Sequence, residues 1–300
     1  MAKFNPQGTF TAIVTPFCAD RDRTVDLIAL KRLVEQQIAG GVTGLVVCGT
    51  TGEASTLDDD EYEQVVGSVV AFAGGRVPVI AGTGSNSTKK TIATTQKACS
   101  LGVDGVLVVT PYYNKPTQAG MIAHFSQVAD QSAAPVVLYN VPGRTGVNLL
   151  PATVAELAKH PNIVALKEAA GSLEQVQEIV MRTEFSFPIL SGEDALCVPT
   201  YAVGGRGVIS VVSNVAPALT VALWNDFAAG RVAEAGRGQV RLLPLIKLLF
   251  SEPNPQPAKM AMHLLGIMEP VARLPLIDAT AATREGLAAE MRRLGLLGNA

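Results

Sequence analysis

Along the chain, short apolar runs bounded by Gly or Pro alternate with longer segments in which apolar residues return every three or four positions. The runs are Thr9 to Val14, Gly44 to Val47, Val77 to Ala81, Gly105 to Val109, Val136 to Asn140, Ile163 to Glu168, Phe187 to Ser191 and Gly207 to Ser210. Runs of this length and flanking predict strands. Their starts lie 35, 33, 28, 31, 27, 24 and 20 residues apart, room each time for one helix and two loops. In Asp26 to Ala39, for example, Leu27, Leu30, Val34 and Ile38 recur at helical spacing ahead of the stop Gly40-Gly41. Regular βα repetition predicts an α/β protein with a parallel sheet and crossover helices, and eight units close into a (β/α)8 TIM barrel. A doubly wound open sheet is the poorer match. It carries a Gly-rich dinucleotide turn after its first strand, where this chain has Thr15-Pro16-Phe17.

After a helical segment around Leu219 to Ala229 the alternation stops. Only helical patterns follow, at Val232 to Phe250, Pro257 to Leu265 and Ala279 to Leu294. Pro253, Pro255 and Pro257 forbid one continuous helix through this appendix. The expected organisation is a barrel with the active site over 1–230 and a C-terminal helical domain over 231–300.

Composition narrows the function. With 48% hydrophobic and 17% charged residues among 300, the chain has ample material for a large core. Lys plus Arg number 24 against 26 Asp plus Glu, a net charge of −2, so no basic field exists to collect nucleic acid or anionic lipid. Four cysteines, Cys18, Cys48, Cys99 and Cys197, form no Cys-x-x-Cys pair and predict reduced thiols. The start, Met1 to Pro6, lacks the apolar stretch of a signal peptide, and no run approaches the ~18 apolar residues that span a bilayer. A cytoplasmic protein without membrane attachment is expected. None of His124, His160 and His263 has a second His or Cys at zinc-motif spacing, which argues against a His or Cys metal site and leaves few bases for a Ser-His-Asp triad.

The chemistry then has to rest on other groups. Lys167 stands in the apolar run Ile163-Val164-Ala165-Leu166-Lys167-Glu168, sharing a face with Ile163 and Ala165 by period-two alternation. Barrel enzymes place their chemistry at the C-terminal ends of their strands. Burial disfavours the charged form of an amine, and the free amine is what attacks a carbonyl. The competing reading is a strand-end lysine reaching solvent or paired with Glu168. Gly49-Thr50-Thr51-Gly52-Glu53 follows the second strand and offers hydroxyls and N–H groups to a small carboxylate, or else simply caps the next helix. Tyr112, Tyr113 and Tyr139 fall at strand C-termini, where a phenol can carry a proton. Packing is the ordinary alternative. Arg144 is a fixed-charge fork on a Pro/Gly-shaped loop, suited to a carboxylate or merely solvated. Gly82 to Ser87 completes neither a dinucleotide fingerprint nor a P-loop. Gly204-Gly205-Arg206-Gly207 suggests a phosphate cradle or, more modestly, close backbone approach beside the active site.

Gly49 to Glu53, Pro111-Tyr112-Tyr113-Asn114, Tyr139 to Gly146, Leu166-Lys167-Glu168, Leu190-Ser191-Gly192 and Gly207 to Ser210 together resemble the pattern of the dihydrodipicolinate synthase family, also called 4-hydroxy-tetrahydrodipicolinate synthases. The match keeps order and spacing from Gly8 to about Leu276 and includes Glu252-Pro253-Asn254-Pro255 and Arg273-Leu274-Pro275-Leu276. The resemblance implies a lyase of the class I pyruvate aldolase group that condenses pyruvate with L-aspartate 4-semialdehyde to 4-hydroxy-tetrahydrodipicolinate, a step toward diaminopimelate and lysine. It implies that Lys167 forms a Schiff base with pyruvate, with Tyr139 as general acid/base linked through Thr50 to Tyr113. In such enzymes that second tyrosine reaches in from a neighbouring subunit, implying a homodimer at least and a homotetramer as a rule. Thr51 and Ile209 would hold pyruvate, Gly192 would line the pocket, and Arg144 would bind the semialdehyde's carboxylate. A protonated imine is itself the electron sink, so no metal or organic cofactor is expected. Related lyases acting on a sugar acid, such as N-acetylneuraminate or a 2-keto-3-deoxy acid, share the lysine and tyrosine. They tend to differ at the position of Thr50 and lack an equivalent of Arg144. One departure stands out: lysine-inhibited members use an acidic side chain and histidines at a second site, where this chain has Lys90, Asp59 and Tyr62. Weak or absent inhibition by lysine is expected.

Overall fold

A computed structural model of the chain describes residues 6–298. Residues 1–5, which carry most of the stretch examined for a leader, lie outside the described residues. The strands are β1 (Gly8–Ala12), β2 (Gly44–Val47), β3 (Val79–Gly82), β4 (Gly105–Val109), β5 (Val136–Asn140), β6 (Ile163–Glu168), β7 (Ile189–Ser191) and β8 (Gly207–Ser210). Each pairs in parallel with the next, and β8 closes on β1 with Phe10 opposite Ile209. The expected TIM barrel with helices between its strands is therefore the fold. Two strands begin later than their apolar runs, because Pro78 and Pro188 have no N–H to donate to the ladder. Their carbonyls still accept, from Leu45 and Leu166.

Strands in such a barrel are buried on both faces. Val46 faces the lumen with Phe10, Ile80, Leu107, Leu190 and Ile209, while its neighbours Leu45 and Val47 pack outward under the helices. The helices start where short polar side chains cap them. The Asp26 carboxylate accepts from the N–H of Ile28 and Ala29 ahead of helix Leu27–Ala39, and Asp58 with Glu61 forms a reciprocal capping box on helix Asp59–Ala73.

Two expectations need correcting. The pairing of β5 with β6 slips by one residue, Val136 opposite Ile163 but Val137 opposite Ala165. This bulge puts Ile163 in the outer layer and Val164 with Ala165 in the lumen, so Ile163 does not share the face of Lys167. The glycines from Gly204 to Gly207 lead into the N-terminal end of β8, at the barrel floor and away from the active-site mouth. A Cβ on Gly207 would lie 2.1 Å from the Gly8 carbonyl oxygen, so close backbone approach is its function there.

Beyond the last barrel helix, Pro217–Ala228, come Val232–Leu249, Gln256–Leu264 and Ala281–Arg293. The chain breaks between Leu249 and Gln256, where the prolines stand. Among the described residues no helix is long and apolar enough to cross a membrane.

Candidate active site

Several of the side chains singled out above, Lys167, Tyr139, Thr50 and Arg144 among them, lie at the C-terminal mouth of the barrel. β6 carries Lys167 into the lumen, 6% exposed, opposite Tyr139 on β5 and Leu190 on β7. The Lys167 Nζ sits 4.1 Å from the centre of the Tyr139 ring. No carboxylate lies within ion-pair distance of it among the described residues. Glu168 points the other way, accepting from the side chains of Asn140 and Gln175 and from the Ala170 N–H. The reading of Lys167 as a partner of Glu168 is thereby ruled out. Burial raises the pKa of Glu168 and these hydrogen bonds work against the rise.

Gly192, just after β7, leaves space for the lysine. A Cβ there would meet Ala169 Cβ at 2.7 Å and Lys167 Cε at 3.1 Å. Ile209 on β8 is buried in the lumen. The turn after β2 keeps its own geometry: the N–H groups of Gly52 and Glu53 donate to the carbonyls of Gly49 and Thr50. The N–H groups of Thr50 and Thr51 meet no protein acceptor among the described residues, which leaves two adjacent donors free at the mouth. Thr51 is buried and Thr50 exposed.

A cleft of about 640 Å³ opens beside these groups, lined among others by Thr50, Tyr139, Tyr112, Arg144, Asp59 and Tyr62. Arg144 lies on one helical turn, Pro142–Thr145, rather than on an open loop, and forms no ion pair among the described residues. Thr145 steadies that turn by donating to the Val147 carbonyl. Tyr113 does not line its own chain's cleft. Its backbone is left-handed, φ 74°, and its side chain is 87% exposed. Of the three residues at the departure from lysine-inhibited enzymes, Tyr62 donates to the Gly82 carbonyl at 3.0 Å, Asp59 opens a helix at the cleft edge, and Lys90 is exposed outside the cleft.

Several charged neighbours of these groups escaped the sequence reading. Asp194 is buried and accepts from Ser210 Oγ and from the N–H groups of Val211 and Val212. Burial pushes its carboxyl pKa upward against those hydrogen bonds. Burial also raises Glu193, as does the charge of Asp194, while Lys167 and Arg144 pull it down. Both acids follow directly on Ser191-Gly192, and that adjacency was their only signal. Lys259, fully buried in helix Gln256–Leu264, pairs with Glu53 of the turn and donates to the Val271 carbonyl. Desolvation lowers the Lys259 pKa to about 8, with Glu53 opposing. The N–H of Arg273 donates to Glu53, and its guanidinium grips Glu61 with two bonds of 2.6 Å.

Comparison with known proteins agrees with this geometry. The sequence model of the Dihydrodipicolinate synthetase family matches residues 5–294. The chain is 52% identical over 295 residues to the 4-hydroxy-tetrahydrodipicolinate synthase of Sorangium cellulosum, covering 98% of each chain. It is 50% identical over 291 residues to that of Geotalea uraniireducens, covering 97% of this chain and 99% of the relative. The crystal structure of dihydrodipicolinate synthase from Thermotoga maritima superimposes with a TM-score of 0.95 at 43% identity, over 97% of this chain and 99% of that one. A lysine with no carboxylate in ion-pair reach among the described residues, at the mouth of a closed eight-stranded barrel, and likeness over nearly the whole length place this chain in the dihydrodipicolinate synthase family.

Proposed function

We infer that the chain is a lyase that condenses pyruvate with L-aspartate 4-semialdehyde. The observation that carries the mechanism is Lys167: a buried amine over the Tyr139 ring, with no carboxylate among the described residues to hold it as an ion pair. Its nitrogen attacks the carbonyl carbon of pyruvate, and loss of water leaves a protonated imine. Removal of a methyl proton gives the enamine, whose terminal carbon attacks the aldehyde of the second substrate. The amino group of that substrate then displaces Lys167 from the imine carbon, closing the ring of 4-hydroxy-tetrahydrodipicolinate and freeing the enzyme. Each step needs a proton moved at a fixed place, and Tyr139 is the group beside the nitrogen.

Thr50 relays protons between Tyr139 and Tyr113. Because Tyr113 is exposed and outside its own cleft, it serves the site of a neighbouring copy. The assembly is accordingly a homodimer at least, and a homotetramer as a dimer of dimers. Thr51 and Ile209 hold pyruvate, with the free N–H groups of the turn facing its carboxylate, and Gly192 lines the pocket. Arg144 takes the carboxylate of the semialdehyde. Within one chain, 1–230 form the catalytic barrel and 231–300 a helical domain, working in the cytoplasm. Lysine is a poor effector: Lys90 repels its ammonium and the Tyr62 hydroxyl is already engaged.

The test is turnover of the purified chain with pyruvate and aspartate 4-semialdehyde, with and without millimolar L-lysine. Consumption of both substrates, no cleavage of N-acetylneuraminate and little inhibition are expected. Cleavage of a sugar acid in preference would refute the substrate, and strong inhibition would refute the effector reading.

A further inference from the structure

The turn Gly49 to Glu53 follows β2, yet the far end of the chain holds it. Asn254, in the proline-rich break between appendix helices, is 6% exposed and donates its side-chain N–H to Thr51 Oγ1 at 2.9 Å, across 203 residues of sequence. Its own Oδ1 is buried without a partner. The amide as placed pairs one of its two N–H donors with Thr51, whereas turned round it would strand both. An amide nitrogen can only donate, so the Thr51 oxygen must be the acceptor. The one proton of that hydroxyl goes to no protein acceptor among the described residues. A carboxylate ligand accepts only, and a hydroxyl that turns a lone pair toward it repels it.

We propose that Asn254 is a positioning residue for the first substrate: by occupying a lone pair of Thr51 Oγ1, it commits the hydroxyl proton to the carboxylate of pyruvate. This rests on the assignment of Thr51 to pyruvate made above. The semialdehyde is unaffected, since Arg144 stands on a separate helical turn, after β5. The helical appendix thereby contributes to substrate affinity and does more than brace the barrel.

The experiment is steady-state kinetics of Asn254→Leu, Thr51→Val and the double variant, with Asn254→Ala as a second probe should the leucine fail to fold. Freeing the Thr51 hydroxyl to turn a lone pair toward the carboxylate predicts a rise of up to roughly tenfold in KM for pyruvate in Asn254→Leu, with KM for the semialdehyde within twofold of wild type. Thr51→Val should raise the same KM, and adding the Asn254 change to it should do nothing further. A merely structural role would instead lower kcat and Tm, move both KM values, and add to Thr51→Val. Either that pattern or an unchanged pyruvate KM in the Asn254 variants overturns the proposal. Wild-type protein treated with borohydride in the presence of pyruvate is the control: no adduct there would overturn the assignment of pyruvate itself, and this proposal with it.

Discussion

In the proposed mechanism Lys167 and Arg144 serve different substrates, and their surroundings differ accordingly. Lys167 is enclosed in an apolar lumen, where water has little access to the carbonyl that its nitrogen attacks. Arg144 is exposed, and its planar fork suits a carboxylate that arrives from solvent. Arg144→Ala should therefore raise KM for aspartate 4-semialdehyde by ~10- to 100-fold, as loss of a charge-assisted pair does, while leaving the rate of pyruvate adduct formation unchanged. Equal damage to both substrates would show that Arg144 acts on the pyruvate step. His124 is the titratable side chain whose burial has the clearest consequence for stability. It shares a hydrogen bond with Thr88 Oγ1 through Nδ1, its Nε2 is buried without a partner, and desolvation lowers its pKa from 6.5 to about 4. Between those values the unfolded chain binds the extra proton and the folded chain does not, so stability falls as pH drops from about 6.5 toward 4. His124→Gln should lose less than wild type between pH 7 and pH 5 in urea unfolding; an equal loss in both would exclude this residue as the cause.

Among elements, the strands were the most legible part of the sequence and the appendix the least. A strand buried on both faces has to be a short, nearly continuous apolar run, and turns at its C-terminal end have to be Gly- and Thr-rich to approach a ligand. Gly44 to Val47 and Gly49 to Glu53 meet both conditions, and they are found where the pattern put them. The bulge in β6 left no trace, because Ile163, Val164 and Ala165 are all apolar and a one-residue slip does not alter an apolar pattern. The contacts of Lys259 and Asn254 were invisible for a different reason: their partners, Glu53 and Thr51, are some 200 residues away in sequence, so no local spacing encodes them. Lys259 also stacks 3.9 Å above the Phe17 ring, with the Arg273 guanidinium 4.2 Å from the same ring. Lys259→Ala would strand the Glu53 carboxylate in the interior, at a cost of about 3–5 kcal/mol. Converting both, as Glu53→Gln with Lys259→Met, should recover a large share of that in equilibrium unfolding. A double variant that loses the sum of the two single losses would show that the pair is not coupled.

At the scale of the whole molecule, the excess of apolar residues over charged ones is divided between a lumen core and a layer under the helices. The proposed mechanism gives the exposed Tyr113 a role in a neighbouring copy's site. If it completes a neighbour's site, Tyr113→Phe and Lys167→Ala should each lose at least ~100-fold in activity, and their mixture after subunit exchange should regain roughly a quarter of wild type, because half the dimers then hold one intact site. No recovery on mixing would place the tyrosine in its own chain's site. The central claim, that Lys167 is the Schiff-base nucleophile, has a more direct test. Borohydride reduction in the presence of pyruvate, followed by peptide mass mapping, should add one reduced pyruvate to the peptide bearing Lys167 and to no other. An adduct on a different lysine, or none, would contradict the account.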